Sequence, residues 1–169
     1  MSSASQGISP KVEQATLLFE SPVLPEWIDY NGHMNDACYV IAFSQAVDGF
    51  MSLIDLNEAF REQHSVSIYT LQSMVSYLQE VSEGQNIAIK GQLLESDAKK
   101  LRLFLTMYHA DTHDKLATME TLLLHMDMKI HKATPFLPHT LSLVEAIQAA
   151  HNKLETPSNA GKPISLKRI

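Results

Sequence analysis

Read as a pattern of apolar and polar positions, the chain divides into a strand, a loop, one long helix, a run of strands and a closing helix. Val12 to Glu20 alternates weakly and turns apolar at Leu17, Leu18 and Phe19, which predicts a first strand. Ser21, Pro22 and Pro25 then interrupt it, because proline lacks the backbone donor that regular structure uses. From Asp36 to about Leu56, the residues Val40, Phe43, Val47, Phe50 and Ile54 recur at spacings of three and four. That spacing predicts a helix, and Ala42, Ala46 and Met51 widen its apolar stripe. So much apolar surface on one helix calls for a sheet to cover it. Asn57 to His64 reads as a short helical or irregular connection.

Ser65 to about Ile130 then reads as strand throughout. Val66, Ile68, Tyr69, Val75 and Tyr77 favour pleated structure, and Glu83-Gly84 marks a turn. Ile87, Ile89, Gly91 and Leu93 alternate with Ala88, Lys90 and Gln92. Leu101, Leu103, Leu105 and Met107 alternate with Arg102, Phe104, Thr106 and Tyr108. Turns fall at Ser96 to Ala98 and Ala110 to Asp114, and Leu116 to Met128 forms the last strand. The class is α+β: an antiparallel meander curled around the helix. Leu141, Val144, Ile147 and Leu154 predict a short helix after Pro138. The expected organisation is a disordered tail over 1–11, one domain over 12–138, and a terminal helix with a mobile tail over 139–169.

Composition narrows the partners. The 169 residues fit one domain, and 45% hydrophobic with 19% charged residues is a globular balance. A net charge of −6 argues against a general nucleic-acid binder. Cys38 is the only cysteine, so no internal disulfide forms, and it reads as a small buried helix residue. No apolar run approaches the ~20 residues of a membrane span. Met1 to Pro10 lacks a basic start and an apolar core, so a cytoplasmic setting is expected.

The chemistry concentrates in Pro25 to Asn35, running into Asp36 to Tyr39. A carboxylate, a glycine, a histidine and two amides stand there just ahead of the helix, whose free N–H groups and dipole favour developing negative charge. Asn35 or Asp36 also suits the helix cap. His109, Asp111, His113 and Asp114 cluster like metal ligands but fall in a turn and match no zinc spacing, so no metal is expected. His125, Asp127, Lys129 and His131 alternate as one solvated or interface strand face, and Glu120 orients groups or faces solvent.

Asp29, Gly32-His33, Asn35 and Tyr39, with the Tyr77-Leu78 strand, the Glu83-Gly84 turn and Ala117 to Asp127, resemble the hotdog-fold acyl-CoA thioesterases. The likeness spans Val12 to about Pro138 and lies in the 4-hydroxybenzoyl-CoA thioesterase-like branch. The string Pro25 to Asn35 is most similar to betainyl-CoA thioesterases of carnitine catabolism. The chain has no Gly-x-Gly-x-x-Gly dehydrogenase signature.

The resemblance implies hydrolysis of a small acyl-CoA, betainyl-CoA foremost, with no cofactor beyond the CoA of the substrate. It implies Asp29 as nucleophile or general base, and N–H groups around His33 to Asn35 as oxyanion donors. His33 positions water or thioester, and Asn35 orients Asp29 or caps the helix. Trp27, Tyr30, Tyr39 and Tyr69 are candidate aromatic faces for a trimethylammonium group, with Met34 beside them. A homodimer or homotetramer is implied, with Lys99, Lys100 and Arg102 as candidates for the CoA phosphates. The rival readings are a hotdog enoyl-CoA hydratase and a non-catalytic acyl-CoA-binding module.

Overall fold

The computed structural model describes residues 14–167, so the expected tail over 1–11, Val12 and Arg168 lie outside the described residues. The strands are β1 (Thr16–Pro22), β2 (Val66–Tyr77), β3 (Asn86–Ser96), β4 (Lys100–His109), β5 (Lys115–Asp127) and the short β6 (Lys132–Ala133). The helices are α1 (Asp36–Leu53), α2 (Glu58–His64) and α3 (Pro138–His151). The strands form one sheet in the order β1-β3-β4-β5-β2, with β6 pairing β5. Every pairing is antiparallel. The sheet wraps α1, which is the hotdog arrangement.

The alternation in β3 and β4 is the core. Ile87, Ile89, Leu101, Leu103, Leu105 and Met107 are wholly buried, facing Phe43, Ala46 and Phe50 of α1. Val40, expected on the buried stripe, is instead exposed, because the inward face of α1 runs through Tyr39, Ala42 and Phe43. Gly49 sets how closely α1 approaches β1: a Cβ there would collide with the Leu18 carbonyl oxygen. The strand β1 carries a bulge between Leu17 and Phe19 at that contact.

Two expectations change at the level of topology. Only β3, β4 and β5 form a meander, whereas β2 crosses to the far side and pairs with β5. A local pattern fixes neither neighbour nor register, so the expected meander holds for β3 to β5 and not for β2. The strand β5 also ends at Asp127, so Lys129 and His131 lie in a turn and His125 is fully buried. Its Nδ1 lies 2.9 Å from the Thr134 carbonyl and its ring packs at a tilt of 41° against Phe136.

Nor is the C-terminal segment loose. Asn159 donates to the Thr118 hydroxyl (2.9 Å), and the Gly161 N–H donates to Glu120 (2.7 Å). Gln92 donates to the Glu155 carbonyl. These contacts fall on the sheet face away from α1, where Phe104 lies between Gln92 and Glu120 in the register and is buried. The segment has no periodicity because hydrogen bonds, rather than an apolar stripe, hold it. Above it, α3 docks where β3 bulges between Leu93 and Glu95. The bulge leaves the Leu93 N–H to donate to His151 Nδ1 (2.8 Å), and Gln148 donates to the Leu93 carbonyl.

Candidate active site

The loop between β1 and α1 folds into a small hairpin. Ile28 bridges Met34, Asp29 N–H donates to the His33 carbonyl, and Gly32 N–H donates to the Asp29 carbonyl. Gly32 adopts φ +81°, a left-handed value that glycine takes without steric cost. The Asp29 carboxylate accepts the Asn31 N–H at 2.8 Å through Oδ1, which fixes the side chain and leaves Oδ2 available. Two further backbone bonds anchor the hairpin, from Met34 N–H to the Val81 carbonyl and from Asn35 N–H to the Trp27 carbonyl.

Asn35 is the N-cap of α1, its side chain accepting the Ala37 N–H at 2.9 Å. Of the two roles open to it, capping is the one its contacts display. Met34 N–H and Asn35 N–H are already engaged, so they do not serve as free oxyanion donors. Among the described residues, the His33 and Asp36 N–H groups have no hydrogen-bond acceptor.

These elements enclose an open cleft of about 640 Å³. The hairpin contributes Asp29, Asn31, His33 and Met34; α1 contributes Asp36 and Tyr39; the end of β2 and the following residues contribute Tyr77, Leu78, Gln79 and Glu80. His33 Nε2 lies 3.2 Å from Glu80. Tyr39 donates to the Gln79 carbonyl and meets Tyr77 edge to face, with ring centroids 5.3 Å apart. Tyr77 donates to the Asp36 carbonyl at 3.1 Å. Burial, reinforced by the nearby Glu80 charge, pushes the Tyr39 phenol up to about 12, so it stays a proton donor at neutral pH.

The structure thus brings together Asp29, His33, Met34 and Tyr39 of the residues expected from sequence. Trp27 is packed into the core beneath the hairpin, and Tyr30 is 96% exposed at its tip. Tyr69 stands eight positions before Tyr77 on β2, about 26 Å along the strand. None of these three lines the cleft. Tyr77, Gln79 and Glu80 were missed as site residues, since only the fold carries them across some forty positions to the hairpin. The basic candidates lie elsewhere: Lys100 pairs with Leu124 on β5, whereas Tyr77 pairs with Ala117. Lys100 is bound to Asp97, and Arg102 to Glu95 and Glu120. The His109 to Asp114 cluster is a turn in which His109 Nδ1 accepts the Asp111 and Thr112 N–H groups.

Fold and cleft together define a thioesterase of the hotdog type. A model of the thioesterase-like superfamily matches residues 23–144, and the chain belongs to that superfamily. The betainyl-CoA thioesterase of Pseudomonas aeruginosa is 37% identical over 158 residues, covering 94% of this chain and 99% of that protein. The L-carnitine dehydrogenase/betainyl-CoA thioesterase of a Rhizobium species is 36% identical, over 89% of this chain and 30% of its own length. Among solved structures, a hypothetical protein of Staphylococcus aureus in complex with CoA superposes with a TM-score of 0.84 at 26% identity, covering 90% of this chain and 97% of the other. A putative thioesterase of Pseudomonas putida gives 0.78 at 28%, covering 92% and 99%.

Proposed function

We propose that this protein hydrolyses betainyl-CoA to betaine and CoA, with Asp29 as the essential carboxylate. The observation that carries the reading is the cleft itself. It sets Asp29, held by the Asn31 N–H, opposite the start of α1. The carboxylate either attacks the thioester carbonyl carbon or takes a proton from the water that does. In both cases the C–S bond breaks and CoA leaves as the thiolate; after direct attack, water then cleaves the acyl–Asp29 anhydride, releasing betaine and restoring the carboxylate. The unengaged His33 and Asp36 N–H groups, at the positive end of α1, are suited to the developing oxyanion.

The charge of the lining supports a cationic acyl group. Asp29, Asp36 and Glu80 line the cleft, no lysine or arginine does so among the described residues, and Tyr39 and Tyr77 supply aromatic surface. A trimethylammonium group over an aromatic face gains about 0.5–2 kcal/mol, more as it is desolvated. The similarity to the Pseudomonas aeruginosa betainyl-CoA thioesterase over nearly its whole length points the same way.

The decisive experiment measures free-thiol release from betainyl-CoA and from its uncharged isostere 3,3-dimethylbutyryl-CoA. We expect kcat/KM for betainyl-CoA to be higher by about tenfold or more. Equal rates would remove the cationic substrate and keep the thioesterase. Asp29→Asn should lower turnover by about 10³-fold with the fold unchanged, and near-normal turnover would overturn the assignment.

We also infer a homodimer built on β2. Among the described residues this strand ends the sheet with an unpaired edge, and it exposes Tyr69 and Leu71, the latter at a bulge. The start of α1, with Val40 and Ile41 exposed, lies beside its end through the Tyr77–Asp36 contact. A reducing cytoplasmic setting fits a chain whose sequence holds a single cysteine.

A further inference from the structure

Among the described residues no lysine or arginine lines the cleft, yet the proposed substrate carries a phosphate-rich nucleotide. Where that end goes is indicated by the face of the sheet turned away from α1. Two cavities run there between β2 and the docked C-terminal segment. One, of about 470 Å³, is bounded by Met74, Glu120, Lys162 and Pro163 among others. The second, of about 310 Å³, shares Met74, Lys162 and Pro163 with the first and adds Tyr77 and Lys167. Tyr77 also lines the catalytic cleft, and Leu78 to Glu80 follow it directly in the chain. The second cavity therefore links the other two along β2, sharing Met74, Lys162 and Pro163 with the first and Tyr77 with the cleft.

Charge distinguishes the two ends of this path. Lys162 and Lys167 are exposed on the groove wall and, among the described residues, neither has an anionic partner. Arg102 sits deeper but is already neutralised by Glu95 and Glu120. Glu120 in turn fixes the segment by accepting the Gly161 N–H, one residue before Lys162. The lysine is thus carried on a backbone that is pinned to the sheet.

We propose that this groove binds the phosphate-bearing nucleotide end of the CoA ester, with Lys162 and Lys167 contacting its phosphates and Tyr77 marking the turn into the cleft. The inference rests on the acyl-CoA reading given above. Its chemistry is that of an adenosine bisphosphate: a flat base and several anionic oxygens, which flexible ammonium groups meet as point charges. The segment over 155–167 then acts as a binding wall.

The test compares wild type with Lys162→Ala/Lys167→Ala on two substrates, betainyl-CoA and the same acyl group on pantetheine, which lacks the nucleotide. The double variant should raise KM for the CoA ester about tenfold with kcat retained, and leave the pantetheine ester unchanged. Adenosine 3′,5′-bisphosphate binding, followed by calorimetry, should weaken in parallel and fall with added salt. Unchanged KM and unchanged bisphosphate affinity would overturn the proposal while leaving the thioesterase intact. Equal loss on both esters would also overturn it, showing a structural effect of the segment. Calorimetry reads the groove even if betainyl-CoA is not cleaved, so failure of the functional reading is seen separately.

Discussion

Asn35 shows what a single side chain does at the entrance to α1. Its carbonyl oxygen accepts the Ala37 N–H, satisfying one of the donors that a helix start leaves open. Asn35→Ala should cost about 1 kcal/mol of stability, and Asn35→Ser should recover most of it, read from urea midpoints. If Asn35 also orients Asp29, the serine variant will regain stability but not turnover. His151 is a second such case, because its Nδ1 must be unprotonated to accept the Leu93 N–H. Burial holds its imidazole below the usual histidine range. As pH falls the unfolded chain takes up the proton first. The stabilisation is therefore complete above about 6.5 and is lost as pH drops through the lower native value. Urea midpoints between pH 7.5 and 5 should fall accordingly. His151→Asn should be less stable at pH 7.5 and show a shallower decline, with the buried His125, lowered in the same direction, supplying what remains.

Among the elements, legibility in the sequence follows how local the cause is. The inward face of β4 could be read from Leu101, Leu103, Leu105 and Met107 because alternation is a property of one strand. The place of β2 could not, since its pairing with β5 depends on partners some fifty positions away. The same division holds in the cleft. Asp29, His33 and Tyr39 stand within one short stretch and were legible, whereas Glu80 and Tyr77 reach it only through the fold. Alternation sets Phe104 on the face opposite Leu103 and Leu105, but its cover is not legible, because a segment held by Asn159 and Gly161 leaves no apolar period. Gly49 is the element-scale constraint open to test. Gly49→Ala adds a methyl group against the Leu18 carbonyl, which the helix can relieve only by moving away from β1. We expect a loss of about 3 kcal/mol, despite the better helix propensity of alanine, measured by thermal or urea unfolding.

At the scale of the whole molecule, the free edge of β2 is what an isolated chain leaves unfinished. An exposed sheet edge with apolar side chains invites pairing. The proposed homodimer predicts that sedimentation will give twice the chain mass. Ile41→Glu combined with Leu71→Lys should shift the protein toward monomer, and a wild-type monomer at micromolar concentration would remove the dimer. Net charge contributes in the same sense as the cleft. At −6 overall, the protein draws a cationic acyl group more readily than it draws phosphates, so local lysines on the outer face matter more than the total.

The close contact between Gly49 and Leu18 also bears on motion. With backbone pressed against backbone, α1 has no side-chain cushion to deform, so it cannot slide or rock along β1 without losing the contact. Asp36 and Tyr39 ride on that helix and line the cleft, so we expect them to form its least mobile side. Whatever breathing admits substrate and releases product must come from the walls: the Ile28–Met34 hairpin and the turn around Glu80. Amide exchange should be slow through the middle of α1 and faster in those two walls, giving a pocket that opens like a pair of lips over a fixed palate.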